Sequence, residues 1–545
     1  MDRRSLLKLV GAGALATTGV PLLSACGTGT DNAGVSNVDK ALTPWPTYVP
    51  FAGPTPDGAP DATGVQALYK KYPAKLVKAV DGKPGDGSKI KAMVITYGTP
   101  PKAAAENKFW DAVNKALGVD IELILVPDAD FKKKMATMMA SNDLPDMIMF
   151  GGGYQLGDEQ QFIAAQCEDL SAHLGGDNVK AYPALANIPP YSWQGMGRIG
   201  GKIYGVPIER PMPGNQLIVN RTALDAAGVP KTWSSADEFV TSMKKLNGDK
   251  KYAIGASAQS LTGGATNYHA SSFGAPNTWK ADGGKFVHMW ETAEFKAGLE
   301  VMIKMAAAGL YYPDSSTVSQ TDLKTHFYNQ TVATFTDGYG AWTAASDAVA
   351  GKFAIDFALP YTKDAKVWQG SGRFGYVTLK KAPAERIKML LRVMNYLAAP
   401  FGTQEYELVN FGVEGTHFTR GTDGGIVKTE LAKTENNTNV PVKYIAAAPS
   451  VLYYPGGGET AQRIYDWEKA ALKNSIADPS NGLMSNTWTS QSAAFRKPVE
   501  DAIAAIVMGR RPLSDWDGLV KTFKSAGADK AAEEYAKEKA AAEKA

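Results

Sequence analysis

The sequence predicts an α/β protein with more than one lobe, on three observations. Its 545 residues suffice for two or more folding units at about 150 residues each. Strand-like and helix-like segments alternate between residues 91 and 151. The composition, 44% hydrophobic and 21% charged, is that of a chain able to bury an ordinary core.

The chain opens MDRRSLLKLVGAGALATTGVPLLSAC: a basic start, about fifteen mostly apolar residues broken by glycines, then small residues. This is the layout of an export signal, too short to cross a membrane and remain there. Leu23-Ser24-Ala25-Cys26 resembles the lipobox of bacterial lipoproteins. That resemblance implies removal of residues 1–25 and acylation of the Cys26 thiol, which becomes the mature N-terminus. Arg3 and Arg4, in Asp2-Arg3-Arg4-Ser5-Leu6-Leu7-Lys8, resemble the twin-arginine motif that exports folded proteins. The alternatives are an ordinary cleaved signal or an N-terminal core helix. The second cysteine, Cys167, has no partner once Cys26 is acylated, so stability must come from the core rather than from a disulfide. Of the formal net charge of +3, the leader supplies two. A nearly neutral mature chain argues against nucleic acid as the main partner, which would need a concentrated basic patch.

Residues 26–88 are dense in Gly, Pro, Asp and Thr and read as a tether and a wrapping arm, with Trp45, Tyr48 and Phe51 placed to lie against the body. KAMVITYG (91–98) then reads as a buried strand, AAENKFWDAVNKALG as a helix ending at Gly118, and VDIELILV as a strand. Phe131 to Ser141 is helical and DMIMF a third strand. This order implies parallel βαβ units, whose carboxyl strand ends, at Tyr97 and at Phe150 to Tyr154, are where ligands collect. Ser235 and Glu238 form a capping box that starts a helix after Trp233. EFKAGLEVMIKMAAAG is a helix stopped by Gly309, NQTVATFTDGYGAW reads strand, turn, helix start, and ERIKMLLRVMNYLAA is amphipathic. From about 458 the chain is mostly helical.

Five pieces, in order, resemble the extracellular solute-binding proteins of ABC importers, the family that binds sugars and oligosaccharides. They are Ser141-Asn142-Asp143-Leu144-Pro145-Asp146, Gly201-Lys202-Ile203-Tyr204-Gly205-Val206-Pro207, Val219-Asn220-Arg221 with Pro230-Lys231-Thr232-Trp233, Asn410 to His417, and DWDGLVKTFKSAGADKAAEEY. Val219 stands where the family has a tyrosine. The resemblance implies a two-lobed periplasmic-binding-protein-like fold with an interlobe ligand cleft and several hinge crossings. On it, lobe 1 comprises 89–207 plus about 376–455, and lobe 2 comprises 208–375 plus about 456–545. It also implies a monomer, anchored by lipid at the extracytoplasmic face of the cell membrane, whose closed, ligand-bound shape is read by ABC permease subunits.

A sugar site wants planar hydrogen-bonding side chains and flat aromatic platforms. The candidates are Tyr97, Phe150 and Tyr154 at first-lobe strand ends, Glu209 and Arg210 after the first crossing, and Tyr268 in TNYHASSFG. Asp337, Tyr339 and Trp342 in TDGYGAW, and Glu414 and His417 in the lipoprotein-type segment, complete the set. Arg210, if it lines the cleft, could clamp an acidic sugar. Each has a plainer reading, as core aromatic, ion pair or turn acid. Gly456 to Gly458 could form an anion nest or simply a loop before a helix.

A secreted glycosidase or lyase would need two carboxylates across one bond, and Glu209, Asp337 and Glu414 could supply them, but no local motif ties two together. There is no G-x-S-x-G, P-loop or H-E-x-x-H, and the five histidines lie apart, so neither a metal nor a cofactor is expected. An adhesin or a receptor for another solute is the remaining class.

Overall fold

Apolar runs and helix punctuation in the sequence translate directly into the first sheet. The computed structural model describes residues 35–544 except 98, 142, 152, 153 and 155; the expectations on Cys26, Arg3 and Arg4 lie outside the described residues. In chain order, β1 (Lys89–Thr96), β2 (Asp120–Pro127), β3 (Met147–Gly151) and β4 (Gly205–Glu209) precede the first crossing. After it come β5 (Asn215–Asn220), β6 (Tyr252–Ile254), the hairpin β7 (Trp279–Asp282) and β8 (Lys285–His288), β9 (Val332–Gly338), β10 (Ile355–Ala358), β11 (Val367–Trp368) and β12 (Arg373–Leu379).

Lobe 1 is built on a five-stranded sheet in the order β2-β1-β3-β12-β4. β1 pairs in parallel with β2 and β3, whereas β12, arriving from the other lobe, runs antiparallel between β3 and β4. The helix Lys108–Leu117 joins β1 to β2: Asn107 caps it through the Trp110 N–H, and Gly118 ends it at φ 67°, a conformation that favours glycine. Helix Ala384–Leu397 buries Ile387, Leu390, Leu391 and Met394 in the same core, which also holds Ile90, Val94, Ile148 and Val377. Lobe 2 is built on a four-stranded sheet, β10-β5-β9-β6. One of its cores gathers Trp279, Trp290, Phe295 and Trp516; the other gathers Phe335, Tyr339, Phe357 and Trp467. Ser235 caps the helix Ala236–Lys244 by accepting the Glu238 N–H at 3.2 Å, but the Glu238 carboxylate reaches one residue further back than a capping box requires, to the N–H and hydroxyl of Ser234.

Among the described residues three chain segments besides the N-terminal arm cross between the lobes: Arg210–Gly214, Gln369–Gly372 and 447–452. The first two are tied by Arg210 N–H to the Gly372 carbonyl at 3.0 Å and Gly214 N–H to the Trp368 carbonyl at 3.1 Å. Lobe 1 also meets the segment before the helix Asn486–Val507 with no side chain between them: a Cβ at Gly482 would collide with the Gln194 carbonyl oxygen, and one at Gly197 with the Gly482 carbonyl.

The arm, from residue 35 to 88, lies along both lobes. Asn37 hydrogen-bonds Glu538 in the helix Asp529–Ala542 and receives the Gly201 N–H, while Arg198 stacks 3.8 Å above the Trp45 ring. Further along, Leu68 pairs with Leu452 of the third crossing, and Val77 with Thr403.

Beside the crossings the Gln66 N–H donates at 3.1 Å to Glu468, a carboxylate with no solvent exposure in the helix Gly458–Lys473. Burial, reinforced by nearby Glu209, raises the Glu468 pKa to about 8. Such a group keeps its proton in the folded state after the unfolded chain has lost it. It therefore erodes stability as pH rises from the unfolded value of 4.5 toward 8. Glu468→Gln retains an acceptor for Gln66 and removes the charge, so at pH 8 it should stabilise the fold by about 2 kcal/mol while changing little at pH 4.5. Denaturant unfolding at the two pH values checks this, and equal effects at both would refute it.

Candidate functional site

Beside the crossings, residues from six separate segments of the first lobe come together. Tyr97, just beyond β1, is 54% exposed, with its ring centroid 6.3 Å from that of Phe374 on β12 and 6.4 Å from that of Tyr444. Phe374 and Tyr444 stack at 5.0 Å and 26°. Arg210, the first residue of the first crossing, places its guanidinium 4.8 Å from the Phe374 centroid and donates to the Glu209 carbonyl at 2.9 Å. Lys443 holds its ammonium 5.4 Å from the Tyr444 centroid and donates to the Thr438 hydroxyl at 3.3 Å. Tyr154 tilts over Phe131 at 4.9 Å, and its hydroxyl donates to Asp128 at the end of β2. Burial and the Asp128 charge raise the Tyr97 pKa; burial likewise raises that of Tyr444, so both are neutral phenols at neutral pH. Burial, with Arg210 beside it, lowers the Lys443 pKa to about 8. The result is a wall of aromatic faces bordered by two cations and one carboxylate, able to stack a flat apolar face and hydrogen-bond the polar rim around it.

Of the residues singled out from sequence, Tyr97, Tyr154 and Arg210 join this wall. Glu209 adjoins it but is buried, accepting the Tyr191 hydroxyl at 2.7 Å and the Ser450 N–H of the third crossing at 2.8 Å, so it braces the hinge rather than offering itself to a ligand. Burial raises its pKa.

Five of the other candidates are buried. Phe150 lies in the lobe 1 core, stacked on Tyr376 at 5.7 Å, because β3 is central and covered on both faces. Tyr268 lies in a lobe 2 core and spends its hydroxyl on the Leu359 carbonyl at 2.9 Å. Tyr339 forms a three-ring cluster with Phe357 and Trp467, which also meet each other at 4.8 Å, and Trp342 packs against Tyr454. His417 has no exposure; it accepts the Val413 N–H and faces Glu435 at 3.4 Å. The remaining two acids stand apart: Asp337 pairs with Lys324 at 2.8 Å at the carboxyl end of β9, and exposed Glu414 pairs with Arg420 at 3.2 Å. Asp337 precedes Gly338, the residue opposite Asn215 where β5 leaves the first crossing.

Sequence reasoning missed Phe374, Lys443 and Tyr444. Phe374 sits in GSGRFGYV, a glycine-rich lead into a strand, and that signal could have marked a second crossing. Tyr444 precedes AAAPS, a small-residue and proline run that marks the third. Cys167 is a buried free thiol 3.3 Å from the Thr378 hydroxyl, and burial pushes its pKa up to about 11. Among the described residues no group of three or more His, Cys, Asp or Glu could hold a metal ion, and no helix is long and apolar enough to cross a membrane.

Comparison with known proteins agrees with this architecture. The chain is 23% identical over 476 residues to the polygalacturonan/rhamnogalacturonan-binding protein YtcQ of Bacillus subtilis (strain 168), covering 84% of this chain and 93% of that protein. It is 22% identical over 468 residues to the lipoprotein LipO of the same organism, covering 81% and 90%. An HMO-binding, ABC-transporter-associated solute-binding protein from Bifidobacterium longum infantis has the same fold, with a TM-score of 0.65 at 14% identity over 85% of this chain and 99% of that one. The family model for bacterial extracellular solute-binding proteins matches residues 108–406, more than half of the sequence, and with the two sheets and the crossings already in view, the chain belongs to that family.

Proposed function

We propose that the protein is a lipid-anchored receptor on the extracytoplasmic face of the bacterial cell membrane, binding a sugar or oligosaccharide between its lobes and delivering it to the permease of an ABC transporter. The observation that carries this reading is the wall formed by Tyr97, Phe374 and Tyr444 beside the crossings. A sugar ring offers C–H faces to such rings and hydroxyls to the polar groups around them. The polysaccharides named for YtcQ and the ABC association named for the Bifidobacterium protein support the ligand class and the partner. In this reading the ligand stabilises the closed arrangement through contacts made with both lobes at once, and the protein acts as a monomer.

Binding without turnover is part of the proposal. Glu209, Asp337 and Glu414, the acids that a glycosidase could have used, are each engaged by different partners in different elements. The leader with its twin arginines delivers the folded chain, and acylated Cys26 keeps it beside the permease; the lipoprotein name of LipO supports the anchor. Cys26→Ala should therefore leave saccharide binding unchanged and move the protein from the membrane fraction to the soluble fraction, whereas full membrane retention would refute the anchor.

The test of the receptor reading is a thermal-shift and tryptophan-fluorescence screen against mono-, di- and oligosaccharides, uronic acids included. Ligand at about 100 times its Kd should stabilise the fold by about 2.7 kcal/mol. Conversion of the saccharide to product, or silence across the whole screen, would overturn it.

A further inference from the structure

Two cations stand at the aromatic wall without a carboxylate partner. Among the described residues Arg210 touches the Phe374 ring, its neighbour's carbonyl and the Tyr444 side chain; Lys443 touches the Thr438 hydroxyl and the Tyr444 ring. The acids nearest them are occupied elsewhere. Glu209 is spent on Tyr191 and Ser450, and Asp128 on the hydroxyls of Tyr154 and Tyr97. The cations are close enough for Arg210 to depress the Lys443 pKa. Placing two like charges in one half-buried cluster costs free energy unless a counter-charge arrives.

We infer that the saccharide held against this wall carries carboxylate groups, with Arg210 gripping one and Lys443 neutralising it or its neighbour. The inference rests on the saccharide reading above and narrows it to sugar acids. The guanidinium presents paired N–H donors that match a carboxylate bidentately, and the ammonium contributes a point charge. Tyr97, with more than half of its surface open, offers the stacking face for the ring that bears the acid. Lys443 holds its proton at pH 7 and gives it up above about 8, where the sugar carboxylate is still ionised. Affinity for an acidic sugar should therefore be level up to pH 7 and fall several-fold by pH 9. The charged groups facing this cluster are Arg210, whose charge helps to lower the Lys443 pKa, and Asp128; Tyr97 and Tyr444, both raised by burial, stay neutral across this range.

The experiment is isothermal titration of the full-length chain with oligogalacturonates, oligoalginates and glucuronate-bearing xylan fragments, each compared with its carboxyl-reduced neutral counterpart. At least one acid should bind about tenfold or more tightly than its reduced form, with the advantage shrinking as salt rises. Arg210→Gln and Lys443→Met should each cost about tenfold more on the acid than on the neutral form, and Lys443→Met should abolish the fall between pH 7 and 9. Melting curves establish that the variants fold; should Arg210→Gln fail to, Lys443→Met and the acid-to-neutral comparison on the unaltered protein decide the matter. Equal binding of acid and reduced forms, or binding of neutral saccharides alone, would overturn the inference and leave the receptor reading standing. Binding of no saccharide would overturn both.

Discussion

Phe374→Ala should weaken saccharide binding by about 100-fold, or about 2.7 kcal/mol, the scale of a central aromatic anchor at an interface. The ring does three things at once. It stacks on Tyr444, it meets Tyr97 edge to face, and it carries the Arg210 guanidinium. Removing it leaves the sugar face without a platform and frees Arg210 to swing into solvent. Phe374 is only half-buried, so the fold should persist; Tyr97→Ala, at a more exposed position, should cost about tenfold and serve as the milder companion. Titration of both variants with whichever saccharide answers the screen checks this. Unchanged affinity in Phe374→Ala would remove the wall from the binding site.

Glu209→Ala should lower stability by about 3 kcal/mol, or roughly 3 °C in melting temperature. One carboxylate oxygen receives the Tyr191 hydroxyl and the other the Ser450 N–H, so truncation leaves two donors unpaired in a buried position. Glu209→Gln keeps an acceptor and sheds a charge that burial already disfavours, and should lose less than half as much. Because Ser450 lies on the third crossing, the alanine variant should also loosen the angle between the lobes, measurable as a broader interlobe distance distribution by spin labelling. Identical melting of all three proteins would show that the carboxylate does not brace the hinge.

The secondary structure was legible where a local rule governs it. Asn107 and Gly118 bound a helix by capping and backbone conformation alone, and the apolar runs beside it could only be strands of a buried parallel sheet. The site was legible only in part. Tyr97 and Arg210 were reachable because strand ends and crossings can be found along the chain. Phe150 is buried because the same run that identifies a central strand also covers the aromatic at its end. Tyr339 and Trp342 are buried for a different reason: they pack against Trp467 and Tyr454, more than a hundred residues downstream, and no local pattern announces those rings as their cover. Phe374 and Tyr444 meet across some seventy residues, and neither segment alone signals a platform.

The arm has a consequence for how the molecule comes into being. Gln66, Leu68 and Val77 dock on Glu468, Leu452 and Thr403, and Ser36 and Asn37 dock on Glu538. A ribosome therefore makes the earliest of these residues hundreds of peptide bonds before it makes their seats. The stretch at Ser36 and Asn37 can meet Gly201 and Arg198 of lobe 1 early, but its bonds to Glu538 must wait until the final helix has been synthesised, and that docking is the last clasp fastened. Cutting away the final helix should thus leave both lobes formed and the opening stretch exposed to protease, a fault at one terminus caused by a loss at the other.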